Sequence, residues 1–397
     1  YKTMWEDVKD YMIPFSIVSP AQLEFGSGKI ALVPDMVKTL VASEKILVLS
    51  DKGVARTGVP SKIVNALEDR GYSVSLVDTV PSEPSTYELD TIAASMRNEK
   101  AAAIVAIGGG SVMDAAKILA VIAGKEWSTA DLVERGVPRR GIPTVMMPTT
   151  AGTGSESTPN AIVLFPEKKL KIGIVSSNFI PDRVILDPEL TIDHPPKLTA
   201  STGVDAFCHL LECFISKKAN PMSDMMAKEG MKILLPALPA AYRNGADLEA
   251  RSACLLAAYY GGACIAASGT TAIHALSYPL GGTYRIPHGV SNAILLMPVM
   301  NYQKKKIAPR LAEAARAIGL VPVTGAMSMQ EEADLLIDSL DRLLKELKIP
   351  TSLKELGVPD NALASLTEAA YGVRRLLDNN PVDLSREDIR AIYESVK

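Results

Sequence analysis

AAAIVAIGGGSVMDAAKILAVIAG, residues 101–124, runs from an apolar, β-branched stretch through three glycines and a serine into a segment with helical apolar spacing. A strand that turns directly into a helix is the repeating unit of an α/β sheet. The same rhythm extends on both sides. Upstream, KILVLSD (45–51) is followed by the amphipathic SKIVNALEDRG (61–71), then by YSVSLVD (72–78) and ELDTIAASMRNEK (88–100). Downstream come IPTVMMPTT (142–150), NAIVLF (160–165), KIGIVS (171–176) and RVILD (183–187). Short apolar runs alternating with amphipathic ones predict a parallel sheet flanked by helices. The pattern stops at DPELTIDHPPKL (187–198), with prolines at 188, 195 and 196. Beyond it, stretches such as MSDMMAKEGMKILLPALPAAYR (222–243) and QEEADLLIDSLDRLLKELK (330–348) carry helical spacing and strand signals almost vanish. The expected architecture is an α/β, Rossmann-like domain over 1–192 and an all-helical domain over 193–397.

At 397 residues, with 47% hydrophobic and 22% charged content, the chain has ample apolar material for two cores. A net charge of −3 offers no basic excess to hold a polyanion, so nucleic acid and anionic membrane are poor partners. The opening YKTMWEDVKDYMIPF mixes acids and bases and lacks the apolar stretch of a signal peptide, which makes cytoplasm the expected location. ACLLAAYYGGACIAA (253–267) is too short and too glycine-interrupted to span a bilayer and reads as a buried helix. Cys208, Cys213, Cys254 and Cys264 include no C-x-x-C pair and read as reduced core residues.

Three motifs can carry chemistry. In the first, Gly108, Gly109, Gly110 and Ser111 let backbone N–H groups approach an anion at a helix N-terminus, where the dipole favours phosphate. A plain strand-to-helix turn fits the same residues, which do not form the G-x-G-x-x-G fingerprint. Asp51, closing KILVLSD, can accept from a ribose and repel a 2′-phosphate, or simply sit in a surface turn. In the second, PTTAGTGSEST (148–158) packs Thr149, Thr150, Thr153 and Ser155 around glycines, suiting a pyrophosphate or a nicotinamide amide, or forming a hydroxyl-rich loop.

The third motif is a scarcity: the chain has only four histidines. His209 follows Asp205 by four residues, a spacing that shares one helix face, while His274 and His288 flank a glycine-rich stretch. One carboxylate and three imidazoles make a mixed oxygen and nitrogen set suited to Fe2+ or Zn2+ with a position left for substrate. His194, followed by proline, reads as a hinge-loop residue, and Glu212 either orients an imidazole or makes a solvent ion pair.

GGGSVMDAAK, PTTAGTGSE, GVDAFCHLLE, IHALSYPLGG and IPHGVSNAILLMP, in this order and spacing, resemble the iron-containing (group III) alcohol dehydrogenase family over nearly the whole chain from QLEFGSGK onward. The resemblance implies a dinucleotide-binding α/β domain, a helical metal-binding domain and an active site in the cleft between them. It implies that Asp205, His209, His274 and His288 ligate the metal. Gly109, Gly110, Ser111, Thr149, Thr150 and Thr153 would line the cofactor site, with Asp51 near the ribose, Lys171 nearby and Asp114 steadying the glycine turn. Asn160 would face a small alcohol or aldehyde, and a homo-oligomer, at least a dimer, is implied. NAD(H) is expected over NADP from Asp51.

The chain departs from the family pattern twice. Tyr278 stands where many members carry a second histidine four residues after the third ligand, and its hydroxyl, with an ordinary pKa near 10, is a weak base at neutral pH. Val382, in DNNPVDLS, replaces an arginine of a common C-terminal signature. Two alternatives stay open: an NAD- and metal-using lyase or cyclase of the dehydroquinate synthase kind, and a non-catalytic NAD-binding relative.

Overall fold

A computed structural model of the chain describes residues 14–42, 44–168, 170–323 and 326–397. Most of the N-terminal stretch read as lacking an apolar leader, residues 1–13, lies outside them. The described residues form two compact units, Val18–Asp193 and His194–Lys397, with 14–17 grouped with the second.

The first unit contains strands β1 (Gln22–Phe25), β2 (Lys45–Ser50), β3 (Ser73–Val77), β4 (Ala103–Gly108), β5 (Thr144–Pro148), β6 (Asn160–Phe165), β7 (Leu170–Val175) and β8 (Arg183–Leu186). Six of them make one parallel sheet in the order β1-β8-β5-β4-β2-β3. Its longer helices are α1 (Val59–Glu68), α2 (Thr86–Glu99) and α3 (Gly110–Ile122). Successive strand residues point to opposite faces, and here both faces are covered. Leu47, Leu49, Ile104, Ala106 and Met146 enter one apolar cluster with α3, while Ile46, Val48, Val105, Ile107, Val145 and Met147 enter the other. That double burial is why these strands read as continuous apolar runs.

Two features differ from the sequence expectation. NAIVLF and KIGIVS, read there as continuing the parallel rhythm, form a separate antiparallel pair, β6–β7. Only PEKK, 166–169, joins them, far short of the dozen or more residues a parallel crossover needs. QLEF, not singled out as a strand, is β1, pairing with β8 at the sheet edge. Its side chains are largely exposed, so it carries little of the apolar signal that marks the inner strands.

Strand order reverses between β2 and β4: the chain leaves β2 for β3 on one side and continues from β4 to β5 on the other. In open α/β sheets ligands bind at the carboxyl ends of the strands flanking such a switch point. Ser50 pairs in register with Ile107, and Gly108 with Pro148, so Asp51, Gly109 and Thr149 follow at the same edge.

The second unit is helical: α4 (Pro196–Ile215), α5 (Pro221–Arg243), α6 (Leu248–Ala267), α7 (Ala272–Tyr284), α8 (His288–Ala317), α9 (Met329–Glu346), α10 (Leu363–Tyr371) and α11 (Arg386–Glu394). α4 is buried on nearly every face from Thr199 onward because α5, α6 and α8 pack around it. The ACLLAAYYGGACIAA stretch lies in α6, much of it buried, and among the described residues no single helix is long and apolar enough to cross a membrane. All four cysteines are free and buried.

Candidate functional site

In the helical unit, Asp205, His209, His274 and His288 come together, each offering one ligand atom, with those atoms all within 4.8 Å of one another. α4 presents Asp205 and His209 one turn apart, α7 carries His274 in its first turn, and His288 opens α8. Gly289 makes the last approach possible: a Cβ there would lie 2.5 Å from Ser201 O and 2.9 Å from Ser201 C, so only glycine lets α8 run this close to α4. Asp205 Oδ1 lies 3.7, 3.6 and 3.7 Å from Nε2 of His209, His274 and His288. Tetrahedral sites with ligand distances of about 2.0–2.2 Å have donor separations of roughly 3.3–3.6 Å, so the carboxylate-to-imidazole separations lie close to those a first-row divalent ion needs.

The site is dry on three sides. The side chains of Asp205, His209 and His274 are at most 5% exposed, whereas His288 is 40% exposed and marks the open side. Burial works against charge on Asp205, yet the facing imidazoles of His209, His288 and His274 hold its carboxyl far below the usual carboxylate range. Burial pushes His209 down to about 4. Burial also opposes charge on His274, but Glu212 and Asp205 outweigh it and push that ring up to about 9.

Glu212 is fully buried, so the solvent ion pair is excluded, and it orients His274 rather than the nearer-in-sequence His209. Its Oε2 pairs with His274 Nδ1, while Oε1 accepts from Thr271 N (3.2 Å), Thr271 Oγ1 (2.8 Å) and Ile273 N (2.6 Å). A carboxylate behind an imidazole accepts from Nδ1–H, so the neutral ring that a metal binds has its lone pair on the inward Nε2. His194 stands apart from this cluster, its carbonyl accepting from the buried Arg251 (3.3 Å).

In the α/β unit the two glycine-containing motifs meet. Thr149 N donates to Gly108 O (2.9 Å), and Thr150 packs on Gly109. A Cβ on Gly110 would lie 2.9 Å from Thr153 Cγ2, so this glycine is needed for the loop to rest on the start of α3. First-turn N–H groups of a helix have no intrahelical acceptor and favour anions. Asp51 caps the short helix after β2, Oδ1 accepting from Gly53 N (2.7 Å) and Val54 N (3.0 Å). Ser111 Oγ accepts from Glu83 N (2.9 Å), and Glu83 also pairs with Lys171. Asp114 accepts from Ser155 Oγ (2.5 Å) and Ile162 N (2.9 Å), fastening the 149–158 loop and β6 onto α3.

Residues 20–188 match the family model for iron-containing alcohol dehydrogenase, and residues 199–396 that for the Fe-containing alcohol dehydrogenase family, C-terminal. The chain belongs to the iron-containing alcohol dehydrogenase family. Long-chain-alcohol dehydrogenase 1 of Geobacillus thermodenitrificans is 35% identical over 384 residues, 96% of either chain. A crystal structure of 1,3-propanediol oxidoreductase aligns with a TM-score of 0.92 at 31% identity, covering 97% of this chain and 100% of the other. Sulfoacetaldehyde reductase from Bifidobacterium kashiwanohense, solved in complex with NAD+, aligns with a TM-score of 0.87 at 30% identity over 97% and 99% of the two chains. The chain is thus a metal-dependent oxidoreductase of the alcohol dehydrogenase class, and neither the lyase nor the non-catalytic alternative is favoured.

Within this family site, Tyr278 is half-buried on α7, its ring 6.2 Å from that of His288. The DNNPVDLS turn acts as a brace. Asn379 Nδ2 donates to Thr270 O (3.1 Å), just before α7, and Asn380 Nδ2 to Gln303 Oε1 (3.1 Å) on α8, with Val382 buried beside them.

Two residues escaped the sequence reading. Lys117, buried in α3, donates to Ser155 Oγ (2.8 Å), Thr158 Oγ1 (3.0 Å) and Asn160 O (2.6 Å), joining Asp114 in holding the loop. A lysine in an otherwise apolar helix, three residues after an aspartate, was the available signal. Asn292 lies fully buried among the imidazoles, its Nδ2 2.6 Å from Asp205 Oδ1. It follows His288 by four residues, the spacing that had linked Asp205 to His209.

Proposed function

We propose that the chain interconverts a small alcohol and its aldehyde with NAD(H), and that Asp205, His209, His274 and His288 hold the metal, Fe2+ or Zn2+. The observation that carries this reading is the convergence of those four donors. Bound there, a divalent ion supplies Lewis acidity toward the substrate oxygen, and the nicotinamide supplies the hydride acceptor or donor. The chain supplies position and dryness. Glu212 holds His274 Nδ1 so that Nε2 faces inward, and the buried α4 face excludes water from three sides. Tyr278, beside the open edge at His288, offers a phenol to hydrogen-bond substrate or water. Asn160 faces the substrate.

At the switch point, Gly108, Gly109, Gly110 and Ser111 present backbone amides to the pyrophosphate. The hydroxyls of Thr149, Thr150 and Thr153 complete that cradle, with Asp114 fixing its loop and Lys171 a peripheral cation. With Oδ1 of Asp51 engaged as a helix cap, Oδ2 accepts from the ribose and repels a 2′-phosphate, favouring NAD over NADP. The boundary between the two units, between Asp193 and His194, separates these two functions. The exposed edge strand β1, with Leu23 and Phe25 facing solvent, supports assembly into a homo-oligomer, at least a dimer. Four free, buried cysteines suit a reducing, cytoplasmic setting.

The test is NADH absorbance over time with anaerobically Fe2+-loaded, Zn2+-loaded and metal-stripped protein on a panel of short aldehydes and ketones. Metal-dependent NADH consumption is expected, with NADPH a poorer substitute. No turnover across the panel by metal-loaded protein that still binds NADH would overturn the proposal. Tyr278→His is expected to change turnover while leaving metal content intact.

A further inference from the structure

Among the described residues, four that are not glycine have positive φ: Glu83, Lys100, Arg285 and Lys348. Three of them end helices, Lys100 after α2, Arg285 after α7 and Lys348 after α9, where a left-handed residue is a common way to stop. Glu83, at φ 55, ends none. A Cβ crowds the backbone in this region, so a glutamate stays there only where its surroundings hold it. The loop that carries it, 79–85, runs across the carboxyl edge of the sheet at the switch point. Val80 N donates to Ser50 O (3.1 Å) at the end of β2, Leu164 N in β6 donates to Pro84 O (3.1 Å), and Ser85 caps α2. Between these anchors, Glu83 N donates to Ser111 Oγ (2.9 Å) in the first turn of α3, and its carboxylate pairs with Lys171 on β7. The two side chains of that pair are 40% and 20% exposed, a setting in which an ion pair adds little to stability. Stability therefore does not account for a glutamate held in a strained conformation. What its two tethers share is place, since Ser111 and Lys171 both belong to the dinucleotide cradle proposed above.

We propose that Glu83 limits the affinity of the dinucleotide site by competing with the cofactor's phosphates for Lys171. Its carboxylate neutralises the lysine and adds a negative charge near the start of α3, where the helix dipole favours an anion. A pyrophosphate arriving there must draw Lys171 away from Glu83 or bind without it. Either way NAD(H) is held less tightly, and released faster, than by the same cradle with a neutral residue at position 83. This inference rests on the cofactor-site reading above.

The experiment titrates NADH into the full-length, Zn2+-loaded wild type, Glu83→Gln, Lys171→Met and the double variant, following nicotinamide fluorescence at roughly 20 mM and roughly 0.5 M salt. Release rates come from stopped-flow displacement by excess NAD+. Glu83 is exposed, so its near-isosteric glutamine variant should fold as wild type does, which far-UV circular dichroism checks. The expected result is about 3–10-fold tighter NADH binding by Glu83→Gln at low salt, the size of effect that one partly screened charge exerts on a nearby pyrophosphate, with slower release. At high salt the gain should shrink, and in the Lys171→Met background most of it should vanish. A purely structural ion pair predicts the opposite sign, because losing a strut would loosen the loop and weaken binding. Unchanged or weaker binding by Glu83→Gln, a gain indifferent to salt, or a gain that survives in full without Lys171 would each overturn the inference. A wild-type chain that binds no NADH would instead remove the cofactor-site reading itself.

Discussion

Replacing Glu212 by glutamine keeps the shape of a fully buried side chain while removing its charge, and the structure sets what that costs. One amide oxygen can still accept from Ile273 N (2.6 Å) and Thr271 Oγ1 (2.8 Å). The other position becomes an NH2 group facing His274 Nδ1. Two donors cannot face each other, so the neutral His274 ring that a metal requires must carry its proton on Nε2, the atom that lies 3.6 Å from Asp205 Oδ1 and points into the cluster. A ligand in the wrong tautomer must be reset before it can bind. The loss expected is about 10–100-fold in metal affinity, or roughly 1.4–2.8 kcal/mol at about 1.4 kcal/mol per tenfold. Glu212→Ala goes further, leaving Thr271 N and Ile273 N buried without an acceptor at about 1–3 kcal/mol each. The assay is a Zn2+ competition titration on stripped protein beside urea unfolding of the same samples. Glu212→Gln should lose affinity with a modest shift of the urea midpoint, and Glu212→Ala should lose both. Wild-type affinity in Glu212→Gln would refute the orienting role of this carboxylate.

Glu156, buried near Lys117, gives a pH signature. Burial raises its carboxyl from 4.5 to about 7 despite opposing pulls from a backbone N–H and Lys117. In the unfolded chain the proton leaves from about pH 4.5 upward, but in the folded chain only near 7, so the folded state binds more protons across that window and stability falls as pH rises through it. The contribution lost is on the order of 3 kcal/mol by pH 8. Glu156→Gln should flatten the unfolding free energy between those pH values relative to wild type, and parallel curves would show that the carboxyl titrates normally. Gly289→Ala drives a methyl into the Ser201 carbonyl, so α8 must move away from α4. Metal content by atomic emission should drop and the unfolding free energy from urea titration should fall by about 1–3 kcal/mol; full metal content would show that the approach of the two helices is not what gathers His288.

Much of this arrangement could be read along the chain. The strands β2, β4, β5 and β8 announce themselves because they are buried on both sheet faces and their residues have no reason to alternate. Asp205 and His209 announce themselves because helix geometry fixes what four residues mean. β1 does not: an exposed edge strand of four residues has little to bury and leaves little apolar trace. The β6–β7 pair reads as two more parallel strands until the length of the link between them is weighed against a crossover.

What the sequence by itself determined was local: the strand–glycine–helix turn at 103–122, the helical second half, and the residue types a metal and a dinucleotide require. Those follow from backbone geometry and side-chain chemistry over a few residues. Only the tertiary structure decided which partner each buried polar group meets. Glu212 lies three residues from His209 yet serves His274, 62 residues away, because α7 packs back onto α4. Asp114 and Lys117 find their partners in a loop some 40 residues on. A buried charge or amide must find its hydrogen bonds wherever the fold brings them, and that distance in sequence carries no local signature.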